Sequence, residues 1–344
     1  MQSSKTSAKN CSIDIFRYIG ALMVMCIHIH PFDDISPFWG REFRSMFPRI
    51  GVPFFFCVAG YFYSRKLSEG KNSFFPYLRR ILTTYAIWSC VYYLIDFMEW
   101  GREDVKGFVR SCVKRFLIDG SHYHFWFFPA LIFSVIFVTV LFKLRLQALI
   151  LPVSIVLYAV GCLGGPYYAF GNRIPVLAAL YARDNYTMIR RIYLMGIPFF
   201  SAGYLVVLIV KGKLYQRLRG PVLLLGLALS VILWRAEIFM VMKAKIMNNI
   251  VTTPGLYLML IMLMLVLIRY PLYRFQKAAD FCKVAAGFTY YIHPLFIWMI
   301  DKVSGRFGFT VTETPRYVLI WAATFFLALL IHRSGSRMLK TICA

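Results

Sequence analysis

Apolar side chains in this chain gather into ten separated runs of about 15–20 residues, and run length is what most constrains the fold. A helix rises about 1.5 Å per residue, so about 20 apolar residues cross the roughly 30 Å hydrocarbon core of a bilayer. Inside that core the backbone has no water to bond, which leaves only helices and closed barrels. The runs are too long and too continuously apolar for barrel strands, whose side chains alternate between lipid and lumen. The sequence therefore predicts an all-α integral membrane protein, a bundle of about ten transmembrane helices. They fall near 13–30, 48–63, 77–98, 124–142, 147–164, 192–210, 221–240, 250–268, 284–300 and 316–332. Residues 1–344 read as a single polytopic membrane domain, and a soluble function is excluded. The 60% hydrophobic content agrees, against roughly 45–50% in soluble domains.

Local signals refine the runs. Gly51, Pro53 and Gly60 bend or loosen the second, and Gly161, Gly164, Gly165 and Pro166 end the fifth. The first run carries Asp14 and Arg17 and lacks a small-residue cleavage site, so it reads as a first span and not a signal peptide. Segment 102–118 differs: Val105, Phe108, Val109, Cys112, Val113, Phe116 and Leu117 recur at helical spacing, with Lys106, Arg110 and Lys114 on another face. That pattern predicts an amphipathic helix on the membrane surface. No internal repeat supports an inverted-repeat transporter.

The charge balance is strongly basic, 39 Lys+Arg against 15 Asp+Glu, for a net +24. These residues sit mostly in short loops between apolar runs, where anionic lipids and not nucleic acid would meet them. An even number of spans puts both termini on one side. Loops 64–76, 143–146, 211–220 and 269–283 on that side are short and poor in acids, while the opposite loops hold Asp33, Asp34, Glu42, Glu103, Asp104 and Asp184. Basic short loops mark the cytoplasm, which predicts two cytoplasmic termini.

Few residues in the spans carry chemistry. Arg17 and His28 are eleven positions apart, which at about 100° per residue puts them nearly on one helix face, roughly 16 Å apart. Asp14 lies one turn before Arg17 and can pair with it. Ionisable groups in a span are costly and usually face an interior cavity. The alternative is a topogenic pair at the interface with His28 at the far boundary. His122 and His124 lead into the aromatic stretch Phe125–Pro129 and read as exposed loop residues beside an interfacial belt that includes Trp126. Tyr290, Tyr291, Ile292, His293 and Pro294 lie inside the ninth run, where proline frees a carbonyl. His293 is there either a polar lining residue or a packed histidine bonded to that carbonyl. No metal is expected, since His28 and His30 point to different faces and no cysteines form a C-x-x-C pair.

The run from Ser12 to His28, with an arginine and a histidine separated by ten residues, resembles the opening signature of the membrane acyltransferase 3 family. Arg49–Phe62, Phe125–Pro129 and Tyr290–Pro294 are similar to that family's later motifs, in order and over nearly the whole chain. Within the family the chain most resembles the membrane domain of the membrane-bound serine racemases of vancomycin-resistance systems. His28–Pro31, Val52–Phe56, Trp126–Ala130 and Gly196–Phe199 support this.

The resemblance implies a multi-pass protein of the bacterial cell membrane. Its ten-span domain would precede a cytoplasmic, pyridoxal-phosphate-dependent racemase domain that is absent from this chain. No cofactor is then expected in this domain. The implied role is passage of L-serine, with Arg17 and His28 central and Asp14, His293, Tyr290 and Trp126 as substrate-binding candidates. The alternative is acyl transfer from acyl-CoA to an extracytoplasmic acceptor, with His28 as general base or proton relay. Two departures weaken that alternative: Ala59–Gly60 stands where the family often has a serine–glycine pair, and Thr83 and Thr84 stand where an arginine often follows Arg80.

Overall fold

The computed structural model describes residues 10–71, 73–334 and 336, and every regular element among them is helical. The helices used below are α1 (Cys11–Ile29), α2 (Gly51–Ser68), α3 (Phe74–Asp96), α4 (Val105–Lys114), α5 (Phe127–Lys143), α6 (Ile150–Leu163), α7 (Ile197–Lys211), α8 (Gly220–Ala244), α9 (Pro254–Arg269), α10 (Gln276–Phe307) and α11 (Glu313–Arg333). Each of the ten apolar runs is helical, although not every one has the length of a crossing. Among the described residues, six helical segments are long and apolar enough to cross a membrane, or seven if a bent pair counts as one span. That pair is Pro254–Arg269 with Tyr273–Phe307, bent by 85°. The remaining two runs, Phe127–Lys143 and Gln147–Leu163, are shorter apolar helices. They lose length to the turn at Leu144–Leu146, where Arg145 takes φ 58°, and to the turn that follows Leu163 at Gly164–Gly165.

The chain divides into two compact units. The first contains Met1–Phe55, Leu218–Ala228 and Met262–Ala344, and the second Phe56–Arg217 with Leu229–Ile261. In the first unit α1 packs on α10 and α11, and Met25, Ile29 and Ile320 form a buried cluster. The bend between α9 and α10 caps α1. Pro271 O accepts from Cys11 N at 3.0 Å and Ser12 N at 3.3 Å, and Tyr270 O accepts from the Ser12 hydroxyl. Asn10 completes the cap, accepting from Ile13 N at 3.2 Å and donating to Leu267 O at 3.0 Å. The first N–H groups of α1 lack partners within their own helix, and the broken backbone at the bend supplies them. At the far end, Phe32 N donates to Thr314 Oγ1 at 2.8 Å, tying the exit of α1 to the start of α11.

In the second unit, glycines set the approach of α2 and α7. A Cβ on Gly60 would overlap the Phe200 carbonyl, and one on Gly203 would overlap Cys57 O and Tyr61 N. Small residues let membrane helices meet backbone to backbone. Thus Gly60 holds a close helix crossing, and α2 continues unbroken through it.

Segment 105–119 is a surface helix whose last turn is π-helical, Arg115–Asp119. Its apolar residues divide between two faces: Phe108 is buried, whereas Val105, Val109, Val113 and Leu117 are exposed.

Candidate functional site

Most of the expected residues converge on α1 and α10. Asp14 sits in the first turn of α1, buried, and Arg17 Nη1 donates to its Oδ1 at 2.8 Å. Ala21 and Val24 lie between Arg17 and His28 on their common face, and both are buried, so that face turns inward. Near the other end of α1 the His28 ring stacks on His293 of α10, centroids 5.3 Å apart and planes at 28°. Tyr290, also buried, lies one turn before His293 with ring centroids 6.4 Å apart. α1 and α10 thus bring Arg17, Asp14, His28, His293 and Tyr290 into one unit.

α10 continues through Pro294 as one 32-residue helix, and the sharp bend lies at its start. Proline leaves the Tyr290 carbonyl without its helical donor. His293 does not take that carbonyl; its Nδ1 lies 3.0 Å from Thr289 O. A carbonyl only accepts, so Nδ1 carries the hydrogen and the neutral ring keeps its lone pair on Nε2. The buried Thr289 hydroxyl beside it makes no hydrogen bond among the described residues. The arrangement offers a cation–carboxylate pair at one level of α1 and two stacked imidazoles, one of fixed tautomer, at another.

Trp126 belongs to the second unit, where the guanidinium of Arg191 lies over its ring at 5.3 Å. Nearby stands a group that the sequence placed in solvent. His124 is 2% exposed and His122 is half-buried, so neither is an exposed loop residue. Their Nδ1 atoms lie 3.2 Å apart, and His122 stacks on Tyr92 at 4.3 Å. Burial, then the nearby positive charge of Arg115, lowers the His122 pKa from 6.5 to about 4. Below them Tyr85 accepts from Ser121 N at 3.0 Å and donates to Phe116 O at 2.9 Å, and Ser89 donates to Ser121 Oγ at 2.7 Å. The turn after Gly120 is folded inward by these bonds, which a short polar loop sequence does not reveal.

Sequence reasoning also passed over Glu237. This carboxylate, buried inside α8, accepts from Tyr167 OH and Gly255 N, each at 2.7 Å. It closes the start of α9, where Trp234 Nε1 donates to Thr253 Oγ1 at 2.8 Å. A lone acid within an apolar run was the available signal.

The comparisons with known proteins agree with the motifs. The chain is 28% identical over 331 residues to a protein named amino-acid racemase from Enterococcus faecalis, covering 93% of this chain and 45% of that protein. It is 27% identical over 176 residues to a serine/alanine racemase from Enterococcus gallinarum, covering 49% of this chain and 25% of that protein. The chain thus spans less than half the length of these relatives. No solved structure gives a significant match. The family model described as an acyltransferase domain matches residues 10–333, and the chain belongs to the acyltransferase 3 family.

Proposed function

We propose that this chain is the membrane part of a serine-racemase-type protein and carries L-serine across the membrane toward a cytoplasmic racemase domain. The observation that carries the proposal is the inward face of α1. Its Arg17–Asp14 pair matches the two charges of a zwitterion, and His28 lies against His293 further along. An amino acid entering an apolar environment loses water around both charges, a cost met only by opposite charges and hydrogen bonds. Arg17 would take the carboxylate, Asp14 the ammonium, and the histidine pair a proton. The substrate class comes from the relatives, two named for amino-acid and one for serine/alanine racemisation. The Thr289 hydroxyl beside His293 would take the serine side chain, with the Tyr290 ring next to it. Both termini would be cytoplasmic, and pyridoxal phosphate would belong to the separate racemase domain. The resemblance extends the proposal to glycopeptide (vancomycin) resistance.

Acyl transfer is the second reading, favoured by the family description and by the lone pair on His293 Nε2. There, His28 or His293 would take the proton of an acceptor hydroxyl as it attacks the thioester of acyl-CoA, releasing CoA as the thiol.

The experiment uses vesicles carrying the full chain, supplied with labelled L-serine outside or labelled acyl-CoA on the cytoplasmic face. Serine uptake without CoA release is expected. CoA release without uptake would replace transport with acyl transfer, and neither activity would leave a membrane anchor for the racemase.

A further inference from the structure

A cavity of about 430 Å³ lies in the second unit, apart from the residues of α1 and α10. Its volume falls in the usual range of small-molecule sites, roughly 300–1,000 Å³. Lys114 and Asp119 line it from the end of α4 and the π turn, and Asp184 and Arg191 from the segment leading into α7. Ile118 and Ile192 add apolar surface. Among the described residues none of these four charged side chains joins an ion pair. Stacking on Trp126 holds the Arg191 guanidinium without neutralising it. The neighbouring Arg190 has its Nε buried with no hydrogen bond among the described residues.

The lining thus carries two charges of each sign, unpaired with one another. A simple anion would meet two carboxylates there, and a simple cation two basic groups. A molecule with both signs satisfies all four. The level of the cavity is set by α4. Val105, Val109, Val113 and Leu117 recur every fourth residue and are all exposed, with Lys106, Arg110 and Lys114 alongside. This is the face that an interfacial helix lays among lipid headgroups. Lys114 and Ile118 follow Val113 and Leu117 by one residue each and line the cavity.

We propose that this cavity binds a zwitterion, its oxyanion on Arg191 and Lys114 and its ammonium between Asp119 and Asp184. Two sources share that chemistry: the phosphoethanolamine headgroup of a membrane lipid and a free amino acid. The proposal does not rest on serine passage, since no residue of α1 or α10 takes part.

Calorimetry on the detergent-purified full chain tests it with two matched pairs of probes. Glycerophosphoethanolamine is compared with glycerophosphoglycol, in which a hydroxyl replaces the ammonium, and L-serine with L-glycerate, so that each pair differs in the ammonium. In at least one pair the zwitterion is expected to bind roughly tenfold tighter or more, the effect of one charge-assisted contact. Arg191→Gln should weaken that zwitterion by a similar factor, and Asp119→Asn with Asp184→Asn should erase its preference over the anion. If Arg191→Gln does not fold, Arg191→Lys keeps the charge, loses the planar fork and should still weaken binding. Nanodiscs containing phosphatidylethanolamine that compete with glycerophosphoethanolamine identify the headgroup as the source; tighter binding of L-serine identifies the amino acid. No binding of either zwitterion, anions bound as tightly as their zwitterionic partners, or Arg191 variants that bind unchanged would overturn the proposal.

Discussion

At the residue scale, the two histidine pairs have different consequences. His28 and His293 stack, with His293 Nδ1 at 3.0 Å from Thr289 O, and under the transport proposal this pair holds and releases one proton. In the transport proposal, His28→Ala lowers L-serine uptake by about 10²–10⁴-fold, the usual weight of a general acid–base group, and flattens its pH dependence near neutrality. His293→Ala does the same, and the double variant is little worse than either single one because the two act together. His30→Asn is the control: His30 caps α1 at φ 60°, a conformation asparagine tolerates. Losses that multiply in the double variant would separate the two histidines. The His122–His124 pair bears on stability. His122 titrates at about 4 in the fold against 6.5 ordinarily, so between those values the unfolded chain binds a proton that the fold does not. Stability therefore falls as pH drops from 6.5 toward 4, by up to roughly 3 kcal/mol at 1.36 kcal/mol per unit, and is unaffected by this group above 6.5. Thermal unfolding of the detergent-solubilised chain from pH 7 to 4 checks this. His122→Gln should flatten the decline, and an unchanged slope in that variant would remove His122 as its cause.

At the scale of elements, buried polar caps hold helix ends that lipid cannot satisfy. Glu237→Ala leaves Gly255 N–H and Tyr167 OH without their shared acceptor, at about 1–3 kcal/mol each. Glu237→Gln keeps an acceptor oxygen and should lose less. At roughly 2–4 °C per kcal/mol for a unit of this size, the alanine variant should lower Tm by several degrees and the glutamine variant by fewer; equal Tm in both and in the parent chain would mean that the cap contributes nothing. The same scale separates what was legible in the sequence from what was not. Apolar run length and helix period placed α1, α8 and α11 and a helix within the amphipathic segment 102–118, which is helical from Val105, because both signals are local. The Arg17–Asp14 pair was legible for the same reason, being one turn apart on α1. The cavity was not, since Lys114 and Asp119 meet Asp184 and Arg191 only through the packing of distant segments. Nor was the 85° bend: 269–283 read as a short loop, whereas helix α10 begins at Gln276 and the Pro271 carbonyl caps α1 through a contact that composition does not encode. His122 and His124 were misplaced because an interfacial aromatic belt and a buried aromatic cluster have the same sequence.

For the whole molecule the open quantity is the number of crossings, and its parity can be measured. Counting six long helices, two shorter ones and the bent pair as two crossings makes ten; counting the pair as one makes nine. An even number returns the chain to the side it started from, and an odd number does not. Packing in the first unit favours return. α1 and α10 begin side by side, where Cys11 Sγ lies 3.3 Å from Gln276 Oε1. α11 begins at the opposite end, beside Phe32, and closes with the His332 ring 5.9 Å from Phe281 near the start of α10. The start of α1 and the end of α11 therefore lie at one end of that unit. Arg269, Arg274 and Lys277 surround the bend at this same end, the basic clustering that marks a cytoplasmic face. The expected outcome is that both termini are cytoplasmic. Cys343, which lies outside the described residues, serves as one reporter, and a cysteine introduced at Ser3 in a chain with Cys343 replaced serves as the other. In intact cells an impermeant maleimide should leave both unlabelled, and permeabilisation should expose both. Labelling of one terminus alone would make the bent pair a single crossing, and labelling of both from outside would invert the whole assignment, placing the Arg17–Asp14 end of α1 on the outer face.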